Sequence, residues 1–306
     1  MILDLVTMGS HDEVRDEVRT LFCLIWPDGD VSLLDEAWGD VARLYNGQWP
    51  GYHACDTPYH NLTHVITVTL AMARLLHGAV LDGYPVSERE GLLSIVAALF
   101  HDAGLIRRTE DPETRGAELT TEHVARGMVM LGTYLRERGW GEDACGFVAS
   151  LLACTELSAD SFLVVFENQE QRYLGALLKA ADLAGQMADM RYGEKILLLG
   201  EELHAAEKQA FIGEKTLLEN SPAFCRRILA EMVDETGKSV LDHFQTHFRV
   251  YRGMDRNVYV DQIRGQISFL EEVIAKGGDA YRETLRMGPV KMSCPPHDID
   301  AIYSKQ

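Results

Sequence analysis

The sequence has no Cys-x-x-Cys pair: its six cysteines stand at 23, 55, 145, 154, 225 and 294, irregularly spaced. That argues against a zinc ribbon or a dithiol redox motif and leaves reduced, mostly buried thiols as the expectation. Basic residues are scarce, with 29 Lys and Arg against 47 Asp and Glu, a formal net charge of −18. So acidic a surface repels phosphate backbones, which excludes polymeric DNA or RNA as an expected partner. A small phosphorylated substrate stays compatible, because a bound cation reverses the field locally. The longest apolar runs, Leu92 to Phe100 and Phe162 to Phe166, fall short of the ~20 residues that span a bilayer. No basic start followed by an apolar stretch marks a signal peptide. The expectation is a cytoplasmic protein with no membrane partner. Internal repeats and low-complexity tracts are lacking, and almost nothing alternates at period two.

What the chain does have is helical periodicity. At 306 residues, with 46% hydrophobic content, it is long enough to bury a sizeable core. Apolar residues at three- and four-residue steps predict helices over 13–26, 33–45, 59–77, 87–100, 120–138, 142–155, 170–199, 222–233, 237–249 and 258–276. Ser87, three residues before Glu90, reads as a capping box. Phe162 to Phe166 is the best strand candidate, or equally a buried helical turn. The tail after Gly288, with Cys294-Pro295-Pro296, reads as coil. With no clear linker, the fold class expected is all-α, as one domain over 1–306.

Two strings carry most of the chemistry: Tyr59-His60-Asn61-Leu62-Thr63-His64 and Phe100-His101-Asp102. Asp182 follows in Ala180-Ala181-Asp182-Leu183. His60 and His64 are four apart, which on a helix puts both imidazoles on one face. His101 and Asp102 are adjacent and reach one point only where a helix ends or bends, which Gly104 allows. Asp102 closes the apolar run from Leu92, and Asp182 sits among Leu177, Leu178, Ala181 and Leu183. Buried carboxylates are costly unless paired or metal-bound. Imidazoles and carboxylates converging in a helical core suit a divalent metal with water attached, and such a water is a hydrolytic nucleophile. Taken singly, each residue also has a bland reading as a satisfied core group or a helix cap. His243 and His247, another four-apart pair beside Asp242, are more simply core or surface groups than a second metal site.

The order His, His-Asp, Asp resembles the HD-domain metal-dependent phosphohydrolases. The string Tyr59-His60-Asn61-x-x-His64 is most similar to that of the class I cyclic nucleotide phosphodiesterases. Leu152-Ala153-Cys154-Thr155-Glu156 and Gln266-Ile267-Ser268-Phe269 add local similarity, so the resemblance spans about residues 52–270. It implies a helical bundle with extra N- and C-terminal helices: a metal-site core at about 52–200, a helical extension at about 201–288 and a tail at 289–306. His64, His101, Asp102 and Asp182 would hold the tight metal, and His60 would be the general acid on the leaving oxygen. Asp102 would be shared between two metals. Gln266 and Phe269 would bond and stack the base, and Glu156 would orient His60 or water. Imidazole with carboxylate permits Fe, Mn, Zn, Co or Ni at the tight site and Mg or Mn at the looser one. The implied partner is a small phosphorylated substrate, foremost a cyclic mononucleotide. The oligomeric state stays open, a homodimer included.

The sequence departs from that family in places. Leu105 stands where a further histidine is usual, and the interval from Asp102 to Asp182 is short. The stretch Arg115 to Val124 looks more like bacterial HD hydrolases, with Glu118, Glu122 or His123 able to face a second metal or the substrate. Arg107, Arg108 and Arg115, if directed inward, would favour a substrate with more phosphates, as in (p)ppGpp- or dNTP-type hydrolases. A di-iron oxygenase needs two further histidines before the last Asp, and only His123 lies there. A catalytically inert regulatory or scaffold module is the rival from another class.

Overall fold

A computed structural model of the chain describes residues 6, 9–156, 166–206, 214–233, 237–277 and 285. Its eleven α-helices are α1 (His11–Ile25), α2 (Ser32–Tyr45), α3 (Leu62–Leu81), α4 (Glu88–Phe100), α5 (His123–Glu137), α6 (Glu142–Ala153), α7 (Gln169–Met187), α8 (Tyr192–Ala206), α9 (Glu214–Glu231), α10 (Asp242–Arg252) and α11 (Val258–Ala275). Short 3-10 turns occur at Ala103–Leu105 and Gly116–Leu119. Two isolated bridges, Tyr52 with Arg108 and Val233 with Ser239, are the extent of β pairing among the described residues. The fold is all-α. The strand candidate at 162–166 falls on residues 162–165 outside the described set, and Phe166 belongs to no helix or strand. The tail after Gly288 also lies outside the described residues.

The centre of the fold is α3. Every residue from Thr63 to Ala79 is buried, and α3 packs against α1, α4, α7 and α10. By length and composition it is apolar enough to cross a membrane, which the shorter runs picked out in the sequence had not suggested. Within the protein, 89% of its most apolar window is buried, so neighbouring helices cover the surface that lipid would otherwise take. Thr67 and Thr69 donate their hydroxyls to the carbonyls of Thr63 and Val65, at 2.9 and 2.7 Å. That satisfies these polar groups inside the apolar core.

Several boundaries differ from the periodicity. Helix α3 starts at Leu62, not near Tyr59, because the Asn61 side chain caps it by accepting from the His64 amide. The helix expected over 170–199 is two helices. Buried Asp189 accepts from the Arg191 amide at 2.7 Å and pairs with Lys195, turning the chain between α7 and α8. Helix α9 starts at Glu214 and carries Pro222 inside it, although proline is far commoner in a first turn. Helix α10 starts at Asp242, after Gly237 with φ of 80°. The core boundary expected near residue 200 falls within α8.

At the far end of α3, His77 meets His247 of α10, Nδ1 to Nδ1 at 3.3 Å, with both side chains buried. Burial lowers the pKa of His247 to about 2, helped by Arg74, His77 and Arg252. Burial also lowers His77, against the opposing pull of Glu17. A histidine in the unfolded chain titrates near 6.5. Below that pH the unfolded state binds protons that the folded state refuses. Stability is therefore full above pH ~6.5 and falls as the pH drops toward the folded value, by about 1.4 kcal/mol per unit for His247. Urea unfolding is expected to show a loss of about 2 kcal/mol from this residue between pH ~6.5 and ~5. His247→Phe should flatten that limb, and an unchanged slope in the variant would contradict the assignment. His243, meanwhile, bonds Asp82 through Nδ1 at 2.5 Å and the Tyr173 hydroxyl through Nε2. The His243 and His247 pair thus serves packing and hydrogen bonding, and among the described residues no third metal donor joins it.

Candidate metal centre

Three separate elements deliver the donors. The first turn of α3 carries His64 inward. The apolar α4 ends at Phe100, and the backbone turns through His101 and Asp102 into the 3-10 turn at Ala103–Leu105. Asp182 comes from the apolar middle of α7. Gly104 matters less for backbone freedom than for closeness: a Cβ there would sit 1.9 Å from the His123 carbonyl oxygen. Gly104→Ala should therefore push the start of α5 away and cost about 1–3 kcal/mol. Thermal unfolding checks this, and an unchanged midpoint would refute it.

The four side chains expected to hold the tight metal meet. His64 Nε2 and His101 Nε2 are 3.2 Å apart. Asp102 Oδ2 lies 3.2 Å from the first and 3.1 Å from the second. Asp182 Oδ1 lies 3.5 Å from His64 Nε2 and 3.7 Å from His101 Nε2. Donors sharing one ion at about 2.1 Å lie roughly 3.0–3.4 Å from one another, close to what is seen. Asp102 Oδ2 is buried and has no hydrogen-bond partner, a cost that a cation would remove. The His101 ring stands 2.8 Å from the Ala98 carbonyl through Nδ1, so Nδ1–H donates there and Nε2 is left to face the cluster. Burial lowers the pKa of His101, but Asp102 and Asp182 outweigh it and raise it to about 9. Burial likewise pushes Asp102 up, while the His101 and His60 imidazoles hold it well below the usual carboxylate range. A cluster with this balance calls for positive charge, and protons and a divalent ion compete for the same nitrogens. The residues fit a divalent metal.

His60 lies before the helix, so the shared-face geometry inferred from the four-residue spacing does not apply. It still reaches the site: donor atoms of His60, His64 and Asp102 lie within 4.8 Å of one another. Its Nδ1 bonds the carboxylate of Glu202 on α8. The same carboxylate accepts the amides of Tyr59 and His60, at 3.1 and 3.3 Å, and the Thr57 hydroxyl donates to the His60 carbonyl at 2.8 Å. Burial lowers His60, but Glu202 and Asp102 overcome this and raise its pKa to about 9. Glu202 is a residue of this site that the sequence does not single out. It is one of two adjacent glutamates at 201 and 202, and nothing local marks it as buried.

The remaining expected site residues divide. His123 takes part: its Nε2 is 3.6 Å from Asp102 Oδ1, and its Nδ1 is 2.6 Å from the Thr120 carbonyl. Asp102 therefore presents one oxygen to the His64–His101 pair and the other to His123. Glu156 lines the adjoining cavity, but the carboxylate on His60 belongs to Glu202. Gln266 and Phe269 are not brought to the site. Gln266 is buried and donates to the Met190 carbonyl at 3.3 Å, and Phe269 lies against Gly193. Both brace the α7–α8 corner, because that side of α11 faces the corner. Nor do the arginines point in: Arg107 pairs with Asp56 and Arg108 with Glu110, and Arg115 is exposed.

The cluster opens into a cavity of about 570 Å³ that His60, Asp102, His123 and Asp182 all line. Comparison of the chain with known protein families, with curated proteins and with solved structures finds no match.

Proposed function

We propose that the chain is a divalent-metal-dependent phosphohydrolase, with a cyclic mononucleotide phosphodiester as the leading substrate. The observation that carries this reading is an imidazole outside the four-donor cluster yet beside it, backed by a buried carboxylate and opening on the same cavity. His64, His101, Asp102 and Asp182 would hold the tight metal, and Asp102 Oδ1 with His123 would face a second. When bound, such ions neutralise phosphate charge and supply a hydrolytic nucleophile.

The protein's own share lies in placing and moving a proton. An alkoxide is a poor leaving group, so a proton delivered as the bond breaks has a large effect. Glu202 occupies His60 Nδ1, which leaves Nε2 as the nitrogen that gives its proton to the leaving oxygen. The negative charge of Glu202 stabilises the imidazolium before transfer. Its bonds to two backbone amides hold the ring in place, and Tyr59, edge-on to His60 at 4.7 Å between ring centres, restricts tilt.

Turnover of bis(p-nitrophenyl) phosphate with and without Mn tests the reading. Metal-stimulated hydrolysis that chelation abolishes supports it. Stoichiometric metal with no hydrolysis of this ester or of cyclic nucleotides would sink it.

A further inference from the structure

His64 and Asp82 stand at opposite ends of α3. At the Asp82 end, three side chains from three helices form a line. Asp82, the C-cap of α3, accepts from His243 Nδ1 of α10 at 2.5 Å, and His243 Nε2 meets the Tyr173 hydroxyl of α7. The Thr246 hydroxyl donates to the other oxygen of Asp82 at 2.9 Å. Both carboxylate oxygens are thus engaged, which fixes the carboxylate and, through it, the imidazole. Tyr173 precedes Asp182 on α7 by nine positions, about 14 Å along the helix axis. The line is therefore separate from the metal donors.

The place of Asp82 makes its carboxylate a demanding acceptor. The C-terminal end of a helix is the negative end of its dipole, where an anion is disfavoured unless proton donors offset it. With Nδ1–H given to Asp82, His243 Nε2 carries the lone pair and accepts the phenolic proton of Tyr173. As the phenol ionises, the imidazolium that forms lies between two anions, and both stabilise it. These are the roles of hydroxyl nucleophile, base and orienting carboxylate. A phenol that only packed would be satisfied by a backbone carbonyl, whereas an imidazole backed by a carboxylate adds a base. The rings are also held in order. Tyr84 stacks on Tyr173, with 4.1 Å between centres and 7° between planes, and stands edge-on to His243 at 5.2 Å. His243 is buried, while Tyr173 is partly exposed and the Asp82 side chain is 31% exposed.

We infer that Tyr173 is a nucleophilic phenol, activated by His243 and Asp82, that takes an acyl group from a small activated ester. The Tyr173 oxygen bonds the carbonyl carbon of the ester as the phenolic proton passes to His243 Nε2. The bond from that carbon to the leaving oxygen then breaks, and the departing anion takes up the proton. The product is an aryl ester on Tyr173. Asp82 and the formal net charge of −18 favour a neutral carbonyl donor over one that carries phosphate. Acyl transfer to Tyr173 needs no metal and stands apart from the phosphohydrolase reading.

The test uses the full chain with a chelator present and p-nitrophenyl acetate as the probe. Acid quenching and peptide mass spectrometry locate the acetyl groups. The chain has 11 tyrosines, so all but Tyr173 serve as internal controls. Tyr173 should be acetylated about 10²-fold faster than the others, the lower end of what a positioned base supplies. Tyr173→Phe, which keeps the ring and its stack on Tyr84, should abolish the fast release of nitrophenolate and keep the melting transition. His243→Gln should slow acetylation of Tyr173 by about 10²-fold. Asp82→Asn, which can still accept from Nδ1 but has lost the charge, should slow it by about tenfold or more. Urea at an unfolding concentration should erase the advantage of Tyr173 in the unaltered chain, a comparison that needs no variant to fold. Acetylation of Tyr173 no faster than that of the other tyrosines overturns the inference. So does an unchanged rate in a folded His243→Gln protein, or an advantage that persists in urea. Each of these results leaves the metal centre untouched.

Discussion

Asp102→Ala is expected to lose both the bound metal and turnover. Its Oδ2 stands 3.2 and 3.1 Å from the two imidazole nitrogens of the cluster, and its Oδ1 stands 3.6 Å from His123. One substitution thus removes a donor from the tight position and the link to the second. Groups that merely orient a ligand are worth about 10–100-fold in metal affinity, so a shared direct donor should cost more. Asp182→Ala should lose the tight metal in the same way. The fold should survive both changes, because α4 and α7 are held by their apolar faces. Metal analysis beside a thermal melt separates loss of the site from loss of the protein. Full activity in either variant would remove the assignment.

His60→Ala is expected to behave in the opposite way, keeping the metal while turnover falls about 10²–10⁴-fold, the usual worth of a positioned general acid. A substrate whose leaving group departs without a proton, such as a p-nitrophenyl ester, should lose less than a nucleotide ester. Glu202→Gln should produce a smaller loss of the same kind. It keeps a hydrogen bond to the ring but removes the charge that helps raise the His60 pKa to about 9. The metal content of this variant should not change. If His60→Ala instead empties the site of metal, His60 is a ligand and the division of labour proposed here is wrong.

The parts legible in the sequence share a physical cause. His101, Asp102 and Asp182 stood out because polar groups interrupt apolar helices, a costly arrangement that needs compensation. The structure brings them together with His64 as the residue order suggested. Helix existence was also legible, most plainly in α1 and α2, whose buried residues fall at three- and four-residue steps. What was not legible depended on long-range contact. Glu202 lies 142 positions from His60 and looks like any surface glutamate until α8 packs beside the loop. Gln266 and Phe269 misled because a polar and an aromatic residue three apart on a helix serve equally well to brace a neighbour. Asn61 hid the true start of α3, since a capping side chain and a helical one read alike between apolar residues. The break between α7 and α8 turns on a buried Asp189–Lys195 pair, and a charged pair in a polar-apolar repeat carries no signal of burial.

His64, His101, Asp102 and Asp182 are proposed to hold a divalent metal. Elemental analysis of the purified chain beside the Asp182→Ala variant tests it most directly. The expected result is at least about one equivalent of a transition metal per chain, lost in the variant while its melting transition persists. Equal metal in both proteins, or none in the parent after reconstitution with Mn, would contradict it.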